Sequence, residues 1–282
     1  MCTVHTDRST RIVSPAVEKT GALILNAADP LLLGKSAEFP GKLIWFSLDA
    51  QNPIIDLHTR AGGIAFVLDN GDLLGLEGDA VEVICAAAEI PITREGAATH
   101  NTANALAAAA LTGRLGIPLA EIPAGLTTVS QDDNPGRSNI YRVNSVSVLV
   151  DSAHNPAGMQ ALFDVAKAMP AKRRILSFGQ AGDRTDDLIR QLARNAWAIG
   201  LDKINVSELE VYWRGREYGE VFALIKDELL HCGATEDQIL YFRTEDESLD
   251  AALEWAPEGD LVIMLALGGS TPIIEKLTGM ES

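Results

Sequence analysis

Short apolar runs separated by polar breaks recur along the whole chain. ALILN at 22–26 reads as a buried strand, and Asp29-Pro30 then opens a short helix or turn. KLIWFSL at 42–48 is a second strand. Residues 61–77 hold two β segments around Asp69-Asn70-Gly71-Asp72, where Asn-Gly is a strong hairpin signal. The Ala/Leu-rich stretch 100–116 predicts a helix with Gly116 at its C-cap, and 118–125 a further short helix. Residues 131–137, QDDNPGR, are polar and turn-rich, so the chain is divided there into 1–134 and 135–282. After that point strands alternate with helices. Strands are expected at 145–151, 173–178, 202–206, 239–243 and 260–267, with helices at 157–168, 185–199, 217–232 and 246–256. Such alternation predicts an α/β protein with a mainly parallel sheet covered on both faces. Sheets of that kind bind ligands beyond the carboxyl ends of their strands, where loops 151–156 and 179–184 fall.

Composition narrows the function classes. Of 282 residues, 47% are hydrophobic and 22% charged, which excludes a disordered or fibrous chain. Lys and Arg total 23 against 39 Asp and Glu, a net charge of −16. A chain so acidic is unsuited to nucleic acid and to anionic membranes. Three cysteines, Cys2, Cys85 and Cys232, have no metal-like spacing, and the N-terminal stretch has no secretory apolar core. No apolar run is long enough to span a bilayer, so a reducing, cytoplasmic setting is expected.

Several short motifs carry chemistry. Gly34-Lys35-Ser36 follows a strand like the end of a phosphate-binding loop, but the first glycine of G-x-x-x-x-G-K-[ST] is replaced by Asp29. Neither that motif nor G-x-G-x-x-G is complete anywhere in the sequence. Asp151-Ser-Ala-His154-Asn155-Pro156 presents an acid, an imidazole and an amide at a strand end. Two readings stand: Asn155 or Asp151 as a simple N-cap, or Asp151 as an acceptor for ribose hydroxyls. Gly182-Asp183-Arg184 follows the next strand, either as a turn with a solvated ion pair or as an arginine facing an anion. Asn101 and Asn104 share one face of the Ala-rich helix. Asn101 suits a cap, and Asn104 needs a partner that a purine edge would supply.

HNTANALAAAA, PGR and DSAHNP, in this order, resemble the Mur ligase family, in particular its cyanophycin-synthetase members. ALILNAADPL, FSLD, EIPIT, GDR, WRGREYGE and PEGDLVIML extend the likeness from about residue 12 to 267. The resemblance implies an ATP-dependent amide ligase that phosphorylates a carboxylate and lets an amine attack the acyl phosphate. It implies that 1–134 is the C-terminal portion of a central ATPase domain and 135–282 a Rossmann-like C-terminal domain. By matching motif, Asn101 and Asn104 fall on the adenine side. Arg137 falls on the interdomain arginine near the phosphates, and Asp151 on the ribose-contacting acid. Asn155 completes the nucleotide loop, and His154 and Arg184 are the catalytic candidates. Arg214 and Arg216 would face substrate. The family's P-loop, its magnesium-binding Glu and His and its carbamylated lysine have no counterpart here, so no metal ligand is expected in this chain. ATP use is expected to be weak and Mg²⁺ to be held elsewhere. The chain is expected to be a truncated or split piece, inactive alone, with residues 1–60 an incomplete sheet covered by another copy or a partner chain. The alternative is a non-catalytic paralogue that assembles with a full-length ligase.

Overall fold

The computed structural model describes residues 17, 18 and 20–280 and divides the chain into two compact units, residues 1–130 and 131–282. Cys2 and the start of the family-like stretch near residue 12 lie outside the described residues.

The first unit begins with β1 (Ala22–Asn26), α1 (Pro30–Ser36), β2 (Lys42–Ser47), α2 (Pro53–Arg60) and β3 (Ile64–Asp69). Asp29 caps α1 by accepting from Leu31 N, and Asn52 caps α2 by accepting from Ile54 N. β1, β2 and β3 are parallel, in that spatial order. A hairpin through Asn70 and Gly71, both at positive φ, then turns the sheet antiparallel. It adds β4 (Asp72–Glu77) and β5 (Ala80–Ala86). Leu32 and Leu33 of α1 and Ile54 and Ile55 of α2 pack with Leu23, Leu25, Trp45 and Val67 on one face. The other face is covered by α3 (Thr99–Arg114) and α4 (Ile122–Leu126), through Leu106 and Ile122 against Ile44, Phe46 and Phe66.

Gly34-Lys35-Ser36 forms the last turn of α1, so the tripeptide cannot wrap a phosphate as a loop. β1 ends the sheet. Its Leu23 and Leu25 point into one core and its Ala22 and Ile24 against the other, yet no described strand pairs with its outer edge. Apolar side chains on both faces are the pattern of an interior parallel strand. Near the amino ends of these strands lies an open groove of about 1050 Å³, walled by Leu43, Ile64, Leu76, Val81, Ile117 and Leu119.

The second unit opens with β6 (Asn139–Val143) and β7 (Val146–Asp151), an antiparallel pair. It continues through α5 (Pro156–Ala168), β8 (Arg174–Phe178), α6 (Asp186–Trp197), β9 (Lys203–Ser207), α7 (Glu220–His231) and β10 (Ile239–Phe242). α8 (Glu245–Trp255), β11 (Leu261–Leu265) and α9 (Thr271–Thr278) complete it. The sheet order is β10-β9-β8-β11-β7-β6, parallel except for the β6–β7 pair. α8 and α9 cover one face, where Leu249, Ile273 and Leu277 meet Val148, Val262 and Met264. α5, α6 and α7 pack in a row and bury Phe163, Leu192 and Ile225. Among the described residues no helix is long and apolar enough to cross a membrane.

Candidate functional site

In the second unit the candidate side chains gather where parallel strands end. β7 finishes at Asp151, and residues 152–155 hand the chain to α5. Asn155 caps that helix, its Oδ1 accepting from Gly158 N at 2.9 Å, with Pro156 in the first turn. His154 is exposed and its Nδ1 donates to Ser152 O at 2.9 Å, which leaves Nε2 as the acceptor of the neutral ring. Asp151 is buried. Its Oδ2 accepts from Ser138 N at 2.8 Å and from Ser138 Oγ at 3.3 Å. Arg137, on the turn that Ser138 closes, is exposed.

The arginines after β8 and β9 are committed to different extents. Arg214 forms an exposed ion pair with Asp183 at 2.8 Å, and that hydrogen bond holds the Asp183 carboxyl below its ordinary value. Arg216 donates Nε to Gly182 O, Nη2 to Arg184 O and Asp186, and Nη1 to Glu220. Its guanidinium therefore ties the loop after β8 to the starts of α6 and α7. Arg184 contributes its carbonyl to that knot, while its buried Nε has no partner.

That Nε belongs to a larger group. Phe178 and Val206 are paired across β8 and β9, which places Gln180 beside Glu208 two residues further on. Both amide atoms of Gln180, Ser207 Oγ, Glu208 Oε1 and Trp213 Nε1 are buried without a hydrogen-bond partner. The two loops touch through backbone. Gly182 N donates to Tyr212 O at 2.8 Å, and a Cβ at Gly182 would sit 2.0 Å from Trp213 O, so only glycine fits. Glu208 Oε2 accepts from Tyr241 OH at 2.5 Å and from Gly219 N at 3.0 Å. Neither partner carries a charge to offset the carboxylate. Burial, then the bond to Glu208, pushes the Tyr241 hydroxyl well above its usual range. A buried polar atom without a partner costs free energy unless a ligand or water satisfies it. The unpartnered atoms on these two loops include both donors and acceptors.

The first unit holds the asparagine pair. Asn101 is buried and does not cap α3, because Ala98 occupies that position. Its Nδ2 donates to Ile92 O at 2.7 Å, and its Oδ1 accepts a 3.4 Å bond from Asn104, whose side chain is exposed. Asn101 thus braces the segment before α3, and Asn104 presents its amide outward.

A family model, the Mur ligase glutamate ligase domain, matches residues 136–268. The chain is 34% identical over 257 residues to a cyanophycin synthetase of Crocosphaera subtropica, covering 90% of this chain. The chain belongs to the Mur ligase family. It spans only 29% of the length of that cyanophycin synthetase. Solved Mur ligase folds agree. A murein peptide ligase from Psychrobacter arcticus aligns with 98% of this chain and 55% of its own, at TM-score 0.63 and 18% identity. A folylpolyglutamate synthase from Mycobacterium tuberculosis, solved with ADP and AMPPCP, aligns with 92% of this chain and 55% of its own, at TM-score 0.60 and 15% identity.

Mur ligases are ATP-dependent amide ligases, a family chemistry that implies ATP and Mg²⁺. Among the described residues of this Mur ligase chain no three His, Cys, Asp or Glu side chains converge as a group that could hold a metal. Gln180, Ser207, Glu208 and Trp213 escape a sequence reading. They match no spacing motif, and only the register of β8 against β9 assembles them. Their one signal is position, just beyond the carboxyl ends of parallel strands.

Proposed function

We propose that this chain supplies the amine-acceptor half of an ATP-dependent acid–amino-acid ligase, and that 135–282 is the C-terminal domain of that ligase. Residues 1–134 are then the later part of its central ATPase domain. The observation that supports this is the set of unpartnered buried donors and acceptors on Gln180, Arg184, Ser207, Glu208 and Trp213. Such a site takes a zwitterionic amino acid, the carboxylate meeting Arg184 and Trp213 and the ammonium meeting Glu208. The ammonium first gives up one proton to Glu208 or water; the free amine then attacks an acyl phosphate, the C–N bond forms, inorganic phosphate leaves and the second proton passes to water or to His154 Nε2. By the family resemblance Arg137 is the candidate for phosphate contact, and Asn101 and Asn104 of the first unit and Asp151 and Asn155 of the second are the candidates for nucleoside contact. Arg214 and Arg216 shape the acceptor loop.

Phosphoryl transfer needs a phosphate loop, its lysine and Mg²⁺. None is encoded in these 282 residues. The chain alone should hydrolyse no ATP and form no amide, and should gain both activities when mixed with a P-loop-bearing ligase half. A coupled ADP-release assay with carboxylate and amino-acid substrates decides it. Turnover by the chain alone that is lost in His154→Ala would overturn the dependence on a second piece. A second reading, a non-catalytic assembly protein of the cytoplasm, is favoured by the apolar edge of β1, which no described strand pairs. Tight association with a full-length ligase, without any gain in turnover, would select it.

A further inference from the structure

We propose that Asp151 is a positioning residue that latches the Arg137-bearing turn onto the end of the six-stranded sheet. Arg137 and the His154 loop then move as one piece of the second unit. The proposal rests on the ligase reading only for the use to which Arg137 is put; the latch itself stands on local geometry.

Residues 131–137 read in sequence as a polar, turn-rich boundary, yet 131–139 are folded tightly within the second unit. Asn139 is fully buried, and three bonds from its one amide staple the segment. Oδ1 accepts from Gly136 N at 2.6 Å, and Nδ2 donates to Gln131 O at 3.1 Å and Asn134 O at 3.2 Å. Gln131 Oε1 accepts from Ile140 N at 3.0 Å, so the segment's first residue is tied to β6. Ser152 N donates to Gly136 O at 3.0 Å, joining the turn to the loop that holds His154.

Asp151 closes the last gap. Ser138 sits at φ +50°, a left-handed conformation that a serine adopts only under constraint, and it is 1% exposed. Its N–H points at the Asp151 carboxylate, which takes that donor and the hydroxyl on one oxygen. A bond from a backbone N–H to a carboxylate is stronger than one to a neutral acceptor. It offsets the backbone strain at Ser138. With Ser138 pinned, the direction in which Arg137 leaves the turn is fixed by the acid at the end of β7. Oδ2 is spent on this latch, and a nucleoside contact, if made, falls to Oδ1.

The Arg137–Ser138 bond is a trypsin site within the latch, which gives a direct readout on the full chain. Cleavage at that one bond is followed by mass spectrometry for the unaltered protein, Asp151→Ala and Asp151→Asn. Asparagine keeps an acceptor oxygen for Ser138 N and loses only the charge. Asp151→Ala should be cut roughly tenfold faster or more, because cleavage tracks the population of the opened turn. Asp151→Asn should stay within about threefold of the unaltered protein. Equal rates for the unaltered chain and a folded Asp151→Ala would overturn the latch, as would Asp151→Asn behaving like alanine. Should Asp151→Ala not fold, amide exchange at Ser138 in the unaltered chain decides. Protection comparable to the β6 amides supports the latch, and exchange at the rate of an exposed loop refutes it.

Discussion

The two sheets are made of similar strands and differ in how much apolar surface they leave exposed. The six-stranded sheet closes one side with an antiparallel strand, β6, and buries Leu149, Leu176, Ile204 and Ile263 completely. The five-stranded sheet also turns antiparallel at one side, through β4 and β5, and at the other ends on β1, an apolar parallel strand whose outer edge no described strand pairs. Beside that sheet lies the open groove, and Val81 and Val83 of β5 are more than half exposed. Both sheets end at one side on a parallel strand with no described neighbour, β10 in the second unit and β1 in the first, and what sets the first apart is its groove and the exposed valines of β5.

The largest effects test whether the second core is the tighter one. Leu149→Ala, in the middle of the six-stranded sheet, should cost about 2–5 kcal/mol. Leu25→Ala on β1 should cost less, because an edge strand relaxes into the space left. Urea unfolding of the full chain, followed through each unit's own tryptophans, compares them. Equal costs would erase the distinction.

A middle-sized effect concerns two acids of the second unit with opposite signs. Glu228 bonds to Arg194 and then to Arg190, and those bonds hold its carboxyl below the usual 4.5. Its contribution is present above that ordinary value and is lost as pH falls through the lowered one. Glu228→Gln should cost roughly 1.5–3 kcal/mol at neutral pH and nothing in strong acid. Burial instead raises the Glu245 carboxyl, although the amides of Leu267 and Gly268 partly counter this. Its neutral form favours folding at low pH, and that gain disappears as pH rises through the raised value. Glu245→Gln, which still accepts from both amides, should flatten that part of the pH profile. Thermal melts from acid to neutral pH show both slopes, and matching signs would refute the assignment.

The smallest effect on stability lies in the first unit. Val81→Thr combined with Val83→Thr should change unfolding by no more than about 0.5 kcal/mol. It should nonetheless reduce hydrophobic-dye binding and self-association in sedimentation. Unchanged dye binding would mean that the β5 face is not part of the unfinished surface.

Much of this architecture is legible from hydrophobic spacing, and the omissions have physical causes. The alternation after residue 139 announces strands β7 to β11 within a residue or two. The Asn70-Gly71 turn announces its hairpin. β5 does not stand out, because a register shift against Leu73 and Leu74 breaks the alternation and four of its residues face solvent. β6 is hidden behind the polar turn that it helps to fold, and α2 and α9 are only eight residues each. At the candidate site the sequence draws attention to charged and amide residues in loops. Asn155 proves to serve as a helix cap and Arg216 as a strap, two roles that share the residue types of binding. Gln180 and Glu208 are invisible until strand register sets them side by side.

The Arg216 strap has a mechanical consequence. One guanidinium grips the carbonyls of Gly182 and Arg184 and the first-turn acids of two helices. The loops after β8 and β9 are thereby riveted into a single jaw, and neither can swing without the other. The cost of separating these loops is therefore concentrated in one largely buried guanidinium, and a cut in its bonds at either loop loosens both.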